Sequence, residues 1–156
     1  MYCKKIIRII LLYFFIALDT STSFAQSLNI EFDHYDINDG LSNNYVNSIF
    51  QDSKGFMWIS TANGLNRFDG FSFKTYYTDS KDNNSIPGNN VNHLVEDTLG
   101  RIWTMTNAGI SYYDRKSDQF MRKHLVINGK LDDKVDGNSC IIDSKGFLWV
   151  GSSNGI

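Results

Sequence analysis

The chain of 156 residues carries 15 Lys and Arg against 17 Asp and Glu, a formal charge of −2, with 42% hydrophobic and 14% aromatic residues. That length suits one ordinary domain, and the balance is that of a globular protein. A mildly acidic surface repels phosphate backbones, which speaks against nucleic-acid binding.

The first 25 residues read as a secretory leader. Lys4, Lys5 and Arg8 precede an apolar run from Ile9 to Leu18, and Ser23-Phe24-Ala25 puts small residues at −3 and −1 of a cleavage point before Gln26. These are the three parts of a signal peptide, and the run is shorter than the roughly 20 apolar residues a membrane span needs. Cys3 precedes the apolar run and makes no case for a lipoprotein. The exported chain, expected in the periplasm of a two-membrane bacterium, keeps 12 basic against 16 acidic residues, a balance of −4. Its one cysteine, Cys140, stands three residues before Asp143, as Ile49 does before Asp52 and Leu94 before Asp97. A thiol at such an apolar position reads as a small buried hydrophobe and not as a nucleophile.

Residues 26–38 form a short opening segment, in which Ile30, Phe32 and Tyr35 suggest an extended piece able to pair with a later strand. The turn-rich lead-in Asp39-Gly40-Leu41-Ser42-Asn43-Asn44 follows. Strands are then expected at Val46–Phe50, Phe56–Thr61, Leu65–Phe68 and Phe71–Tyr77. Asp52-Ser53-Lys54-Gly55 between the first two is a type I turn pattern. Asn63-Gly64 is a tight hairpin signal, and Asp69-Gly70 makes the last turn.

A polar loop, Asp79 to Asn90, contains the one proline, Pro87, and leads to a second unit. Its strands are expected at Val91–Val95, Arg101–Thr106, Ile110–Tyr113 and about Gln119–Val126. Here Ala108-Gly109 replaces the Asn-Gly pair, and Arg115 stands where the first unit has Gly70. A third unit starts near Asn138 and reaches Ile156, the equivalent of the start of a third strand.

The units share one skeleton: Asp52, Gly55, Trp58 and Gly64; Asp97, Gly100, Trp103 and Gly109; Asp143, Gly146, Trp149 and Gly155. The three tryptophans are spaced by 45 and 46 residues, and Leu41, Asn44 and Val46 fall 45 residues before Ile86, Asn89 and Val91. About 40–50 residues with four strands per repeat marks β-propeller blades. In the second strand Phe56 and Trp58 point to one face, Met57 and Ile59 to the other. A sheet apolar on both faces must be sandwiched between neighbours. The expected fold is therefore all-β, built of four-stranded antiparallel blades. Residues 39–84 form blade 1, 85–130 blade 2 and 131–156 a partial blade 3. About two and a half blades fall short of the roughly four to eight of a closed ring, so the chain reads as a fragment with open faces.

The pattern Asp52-x-x-Gly55-x-x-Trp58, followed by Gly64-Leu65-Asn66-Arg67-Phe68-Asp69 and preceded by Asp39-Gly40-Leu41-Ser42-Asn43-Asn44-Tyr45-Val46, resembles the two-component regulator propeller repeat. The resemblance covers about Asp39 to Ile156. It implies the periplasmic sensor half of a Bacteroides-type hybrid histidine kinase, followed by an immunoglobulin-like domain, one membrane helix and a kinase core. It also implies glycan fragments as ligands and a dimeric sensor. None of the kinase machinery lies in these residues.

No catalytic, cofactor or metal site is expected. Asp52, Asp97 and Asp143 occupy the same turn in different blades, whereas acid–base chemistry needs two carboxyls at one substrate. Trp58, Trp103 and Trp149 are the same in every unit, which suits packing between blades and not sugar stacking. His34, His93 and His124 share no ligand spacing. Asp79 to Asn84 lacks the alternation and glycine of a calcium loop, and Asp132, Asp133 and Asp136 add no pattern. The expected function is ligand sensing without catalysis, with the missing blades and the kinase region as partners. The alternatives are a non-functional remnant and a secreted polysaccharide-active enzyme.

Overall fold

A computed structural model describes residues 30–127, 130–132, 135–153 and 155. The leader expected over residues 1–25 lies outside them. The described residues contain strands and turns and no helix, so none crosses a membrane as one.

The first sheet has the order β1 (Val46–Gln51), β2 (Met57–Thr61), β3 (Gly64–Phe68), β4 (Phe73–Tyr76), antiparallel throughout. The second repeats it with β5 (Val91–Glu96), β6 (Ile102–Thr106), β7 (Gly109–Asp114) and β8 (Gln119–Lys123). A hairpin of β9 (Leu125–Ile127) and β10 (Lys130–Asp132) follows. The third unit supplies β11 (Gly137–Ile142) and β12 (Leu148–Ser152). Each tryptophan has the same cross-strand partner position: Phe50 opposite Trp58, Val95 opposite Trp103, Ile141 opposite Trp149. This is the all-β blade architecture expected from the repeat.

Three expectations about strands change. Residues 30–36 form no strand. The chain instead turns at once, with Leu41 N–H donating to the Asp36 carbonyl and Asp36 N–H to the Asp39 carboxylate. Tyr35 meets the sheet through its ring, 5.1 Å from Phe68 and 5.7 Å from Phe73. The fourth strand begins at Phe73 and not Phe71, because the Asp69 carboxylate takes the N–H groups of Phe71 and Ser72 into the turn. The eighth strand stops at Lys123 and not near Val126. Lys123 pairs with Ile110, and β7 offers only Gly109 beyond it, so the chain leaves the sheet and pairs with itself.

Packing follows the two-faced pattern. The Trp58 face of the first sheet meets the Ile102 face of the second, and Trp58, Leu65, Ile86, Val91, Leu94, Ile102, Tyr113 and Phe120 form one buried core. The opposite face of the second sheet, with Trp103 and Met105, packs on Cys140, Leu148 and Val150. The Trp58 and Trp103 faces thus lie on the Ile102 and Leu148 faces of the units after them. The same position is 0% exposed at Trp58, half-buried at Trp103 and 52% exposed at Trp149. Aromatic edges reinforce the first core: Trp58 and Tyr113 lie 4.9 Å apart, Tyr76 and Phe120 5.2 Å. Such pairs add about 0.5–1.5 kcal/mol each beyond the area they bury.

Candidate functional site

The repeated turn is a small machine of hydrogen bonds around one carboxylate. Asp52 Oδ1 accepts the N–H groups of Lys54 at 2.8 Å and Phe56 at 3.0 Å, and Oδ2 accepts the indole N–H of Trp58 at 2.7 Å. Asp97 does the same with Leu99, Arg101 and Trp103, and Asp143 with Lys145, Phe147 and Trp149. The fourth residue closes the turn by donating its N–H back to the aspartate carbonyl, and at Gly55 this needs φ +89°, where an L side chain is strained. Spacing of six residues puts the aspartate at the strand end nearest the indole. The aspartates are one per blade and do not converge.

Burial opposes ionisation of Asp52, but the donors from Trp58, Arg115 and Lys54 outweigh it and hold the carboxyl below its ordinary range. Burial likewise opposes the charge on Asp97, and bonds from Trp103 and Arg101 overcome it. At Asp143 the Trp149 and Phe147 donors lower the carboxyl directly. These are carboxylates held as permanent acceptors. A general acid would require the reverse shift.

The hairpin glycine works differently from the expectation. The turn residues between β2 and β3 are Ala62 and Asn63, while Gly64 already pairs with Thr61 and takes φ +117°. Neither Asn63 nor Ala108 adopts a positive φ, which is why Ala108 substitutes for Asn63 without strain. A hydroxyl three residues ahead ties the turn: Thr61 donates to the Gly64 carbonyl and Thr106 to the Gly109 carbonyl, both at 2.8 Å, and Ser152 to the Gly155 carbonyl at 3.1 Å. This hydroxyl was legible as a third periodic feature beside Asp and Trp.

Two polar networks join the first and second sheets. Arg115 reaches from the β7–β8 turn to Asp52 Oδ2 at 2.9 Å and Glu96 Oε1 at 3.0 Å, while Nε donates to the Gly100 carbonyl. Glu96 in turn accepts from the backbone and hydroxyl of Ser53. The arginine that departs from the repeat is thus an inter-blade contact. The second network centres on Asp118, in a left-handed conformation at φ 57°. It accepts from Tyr113 at 2.5 Å and Tyr76 at 2.9 Å and pairs with Lys74, and Tyr113 also accepts from Arg67 at 2.7 Å. Burial opposes its charge, but Lys74, Tyr113 and Tyr76 bring the carboxyl down to about 2. Burial pushes the Tyr76 hydroxyl up.

The oxygen-rich loop after β4 already has its cation. Arg122 donates to the carbonyls of Asp79, Asp82, Ser85 and Ile86. Asp79 and Asp82 spend a carboxylate oxygen on local N–H groups. His93 Nδ1 lies 3.4 Å from Cys140 Sγ, and burial pushes that thiol up to about 12. Asp136 accepts from the Ser153 hydroxyl, whereas the side chain of Asp132 and all of Asp133 lie outside the described residues. Among the described residues, no three His, Cys, Asp or Glu groups are placed to share a metal ion.

The family profile described as Two component regulator propeller matches residues 40–63. Histidine kinase P4 of Formosa agariphila (strain DSM 15362 / KCTC 12365 / LMG 23005 / KMM 3901 / M-2Alg 35-1) is 39% identical over 77 residues, 49% of this chain and 5% of that protein. The extracellular domain of BT4673 from B. thetaiotaomicron, assigned to a hybrid two component system, superposes with a TM-score of 0.63 at 28% identity, covering 81% of this chain and 18% of that one. A second structure of that extracellular domain, assigned to a one component system, gives a TM-score of 0.59 at 28% identity, covering 76% and 17%. The chain therefore spans a small part of each protein it matches.

Proposed function

We propose that this chain, which matches the two component regulator propeller profile over residues 40–63, belongs to that family and that its blades form part of the ligand-sensing region of a membrane sensor. The observation that carries this reading is the superposition of 81% of the chain on an extracellular sensor domain. An extracytoplasmic place agrees with that neighbour, and the signal-peptide pattern of residues 1–25 supports export to the periplasm.

The ligand we favour is a glycan fragment, as the family resemblance implies. No residue of the described blades is set up as an acid–base pair, and the units supply scaffold, with recognition left to loops that differ between blades. Further blades, a kinase region and a second sensor copy are the partners this reading requires. Signalling would be a population shift: ligand acts only by binding one arrangement of the sensor better than another.

The test is calorimetric titration of the complete exported region with defined oligosaccharides, followed by phosphorylation assays on the whole sensor. Saturable binding that changes phosphorylation supports the proposal. Release of new sugar ends from a polysaccharide would replace sensing with an enzymatic role, and no response to any ligand class would remove the sensor reading.

A further inference from the structure

Each inner strand contains a bulge, and each bulge is an asparagine. The pairing of β1 with β2 skips a residue between Val46 and Ser48, that of β5 with β6 between Val91 and His93, and that of β11 with β12 between Gly137 and Ser139. The residues so inserted are Asn47, Asn92 and Asn138, spaced 45 and 46 apart like the tryptophans. A bulge leaves its extra residue out of the ladder and re-aims that side chain.

Here the side chain is aimed at the next unit. The Asn47 amide donates to the Val91 carbonyl at 2.8 Å and to Asn90 Oδ1 at 3.0 Å. The Asn92 amide donates to the Gly137 carbonyl at 2.8 Å. Val91 and Gly137 are equivalent positions, each directly ahead of its own unit's bulge. The same donor thus meets the same acceptor at both interfaces. Apolar faces are held together by a force without direction, and on their own they tolerate sliding of one sheet over another. A short amide-to-carbonyl bond does not, because its strength falls steeply with distance and angle. The acceptor strand is also held close: a Cβ at Gly137 would lie 2.9 Å from Met105 Cβ.

We propose that the bulge asparagine sets one unit against the next by reading the main-chain carbonyl ahead of the neighbouring bulge, and that Asn138 holds the same amide free for a third such contact. This rests on the propeller reading of the repeat and on no property of a ligand. The amide is the chemistry that matters. Aspartate at the same site has the same size, but it would set a carboxylate against a carbonyl oxygen with no donor between them.

Hydrogen exchange read by mass spectrometry on the full chain tests this with Asn47→Ala, Asn47→Asp, Asn92→Ala, Asn92→Asp and Asn138→Ala. Both Asn92 variants should speed exchange in β11 and β12 about fivefold, the factor that one net hydrogen bond is worth, and leave β2 to β4 unchanged. Both Asn47 variants should do the same along β1 and β5. Asn138→Ala should change nothing, since no described residue accepts its amide. Trp58 and Arg115 also hold the first interface, so the Asn47 variants fold even where an Asn92 variant does not. Aspartate behaving like asparagine at both sites, or unaltered exchange in the alanine variants, would overturn the proposal. An Asn138→Ala effect as large as that of Asn92→Ala would overturn its last part. No ligand enters the measurement, so its outcome and that of the sensing experiment are independent.

Discussion

The carboxylate of Asp52 receives the indole N–H of Trp58 at 2.7 Å from within its own blade and the guanidinium of Arg115 at 2.9 Å from the next. One side chain thereby ties a turn, a core tryptophan and a neighbouring sheet together. Asp143 has the first two ties and is the aspartate of the third unit, whose tryptophan face is exposed.

Asp52→Ala should therefore be the most damaging of the three turn substitutions. It strands a buried indole N–H, at about 1–3 kcal/mol for an unsatisfied group, and removes one of the three partners of the Arg115 guanidinium. Asp143→Ala leaves its donors in reach of water and should cost clearly less. Urea denaturation followed by circular dichroism measures the order. Equal losses for the two variants would show that the inter-blade tie contributes nothing.

The skeleton of this fold was legible because its period is. Asp, Gly and Trp return at fixed spacing, and the same alternation puts Ile102 and Trp103 on opposite faces of the second sheet, each of which one core uses. What remained hidden were contacts between units, such as those of Ser53 with Glu96 and Asp52 with Arg115, whose partners lie 43 and 63 residues apart with no local pattern to mark them. Arg115 looked like a lost glycine, yet it reaches Asp52. Asn47 and Asn92 had the period, but a bulge cannot be seen until the ladder is drawn. The strand ends at Phe73 and Lys123 depended on an aspartate cap and on the length of β7, neither of which alternation reports.

Arg115→Met keeps the aliphatic stem and removes the charge. It should destabilise by about 1–2 kcal/mol, less than the rupture of a fully buried pair, because Asp52 keeps its other donors and Arg115 is partly exposed. Combined with Glu96→Gln in a double-mutant cycle, the losses should fall short of additive, since both residues belong to one network. Strict additivity would show that Glu96 and Arg115 are not coupled.

Acid should loosen the same interface at Asp118. Its carboxyl titrates at about 2 when folded against 3.8 ordinarily, so the folded state binds the proton less readily. The linked stability is present above pH 3.8 and is lost as pH falls through the folded value. Asp118→Asn, which tolerates the left-handed backbone, removes this titration. Between pH 4 and 2 the variant's unfolding midpoint should fall less steeply than that of the parent, which keeps this titration as well as those of Asp52 and Asp97. Parallel curves would mean that Asp118 titrates alike in both states.

The graded exposure of the three tryptophans can be read directly. With Trp58 fully buried, Trp103 half-covered and Trp149 52% exposed, quenching by iodide should rank Trp149 first and Trp58 last in variants that keep one tryptophan and carry phenylalanine at the other two. Iodide is charged and does not enter a packed interior, so a buried indole stays bright. The ranking follows from packing alone, because every tryptophan face needs the Ile102-type face of the unit after it. Strong quenching of Trp58 in the 156-residue chain would mean that the first two blades do not stay docked in solution. Full protection of Trp149 in the same chain would mean that another surface covers it there.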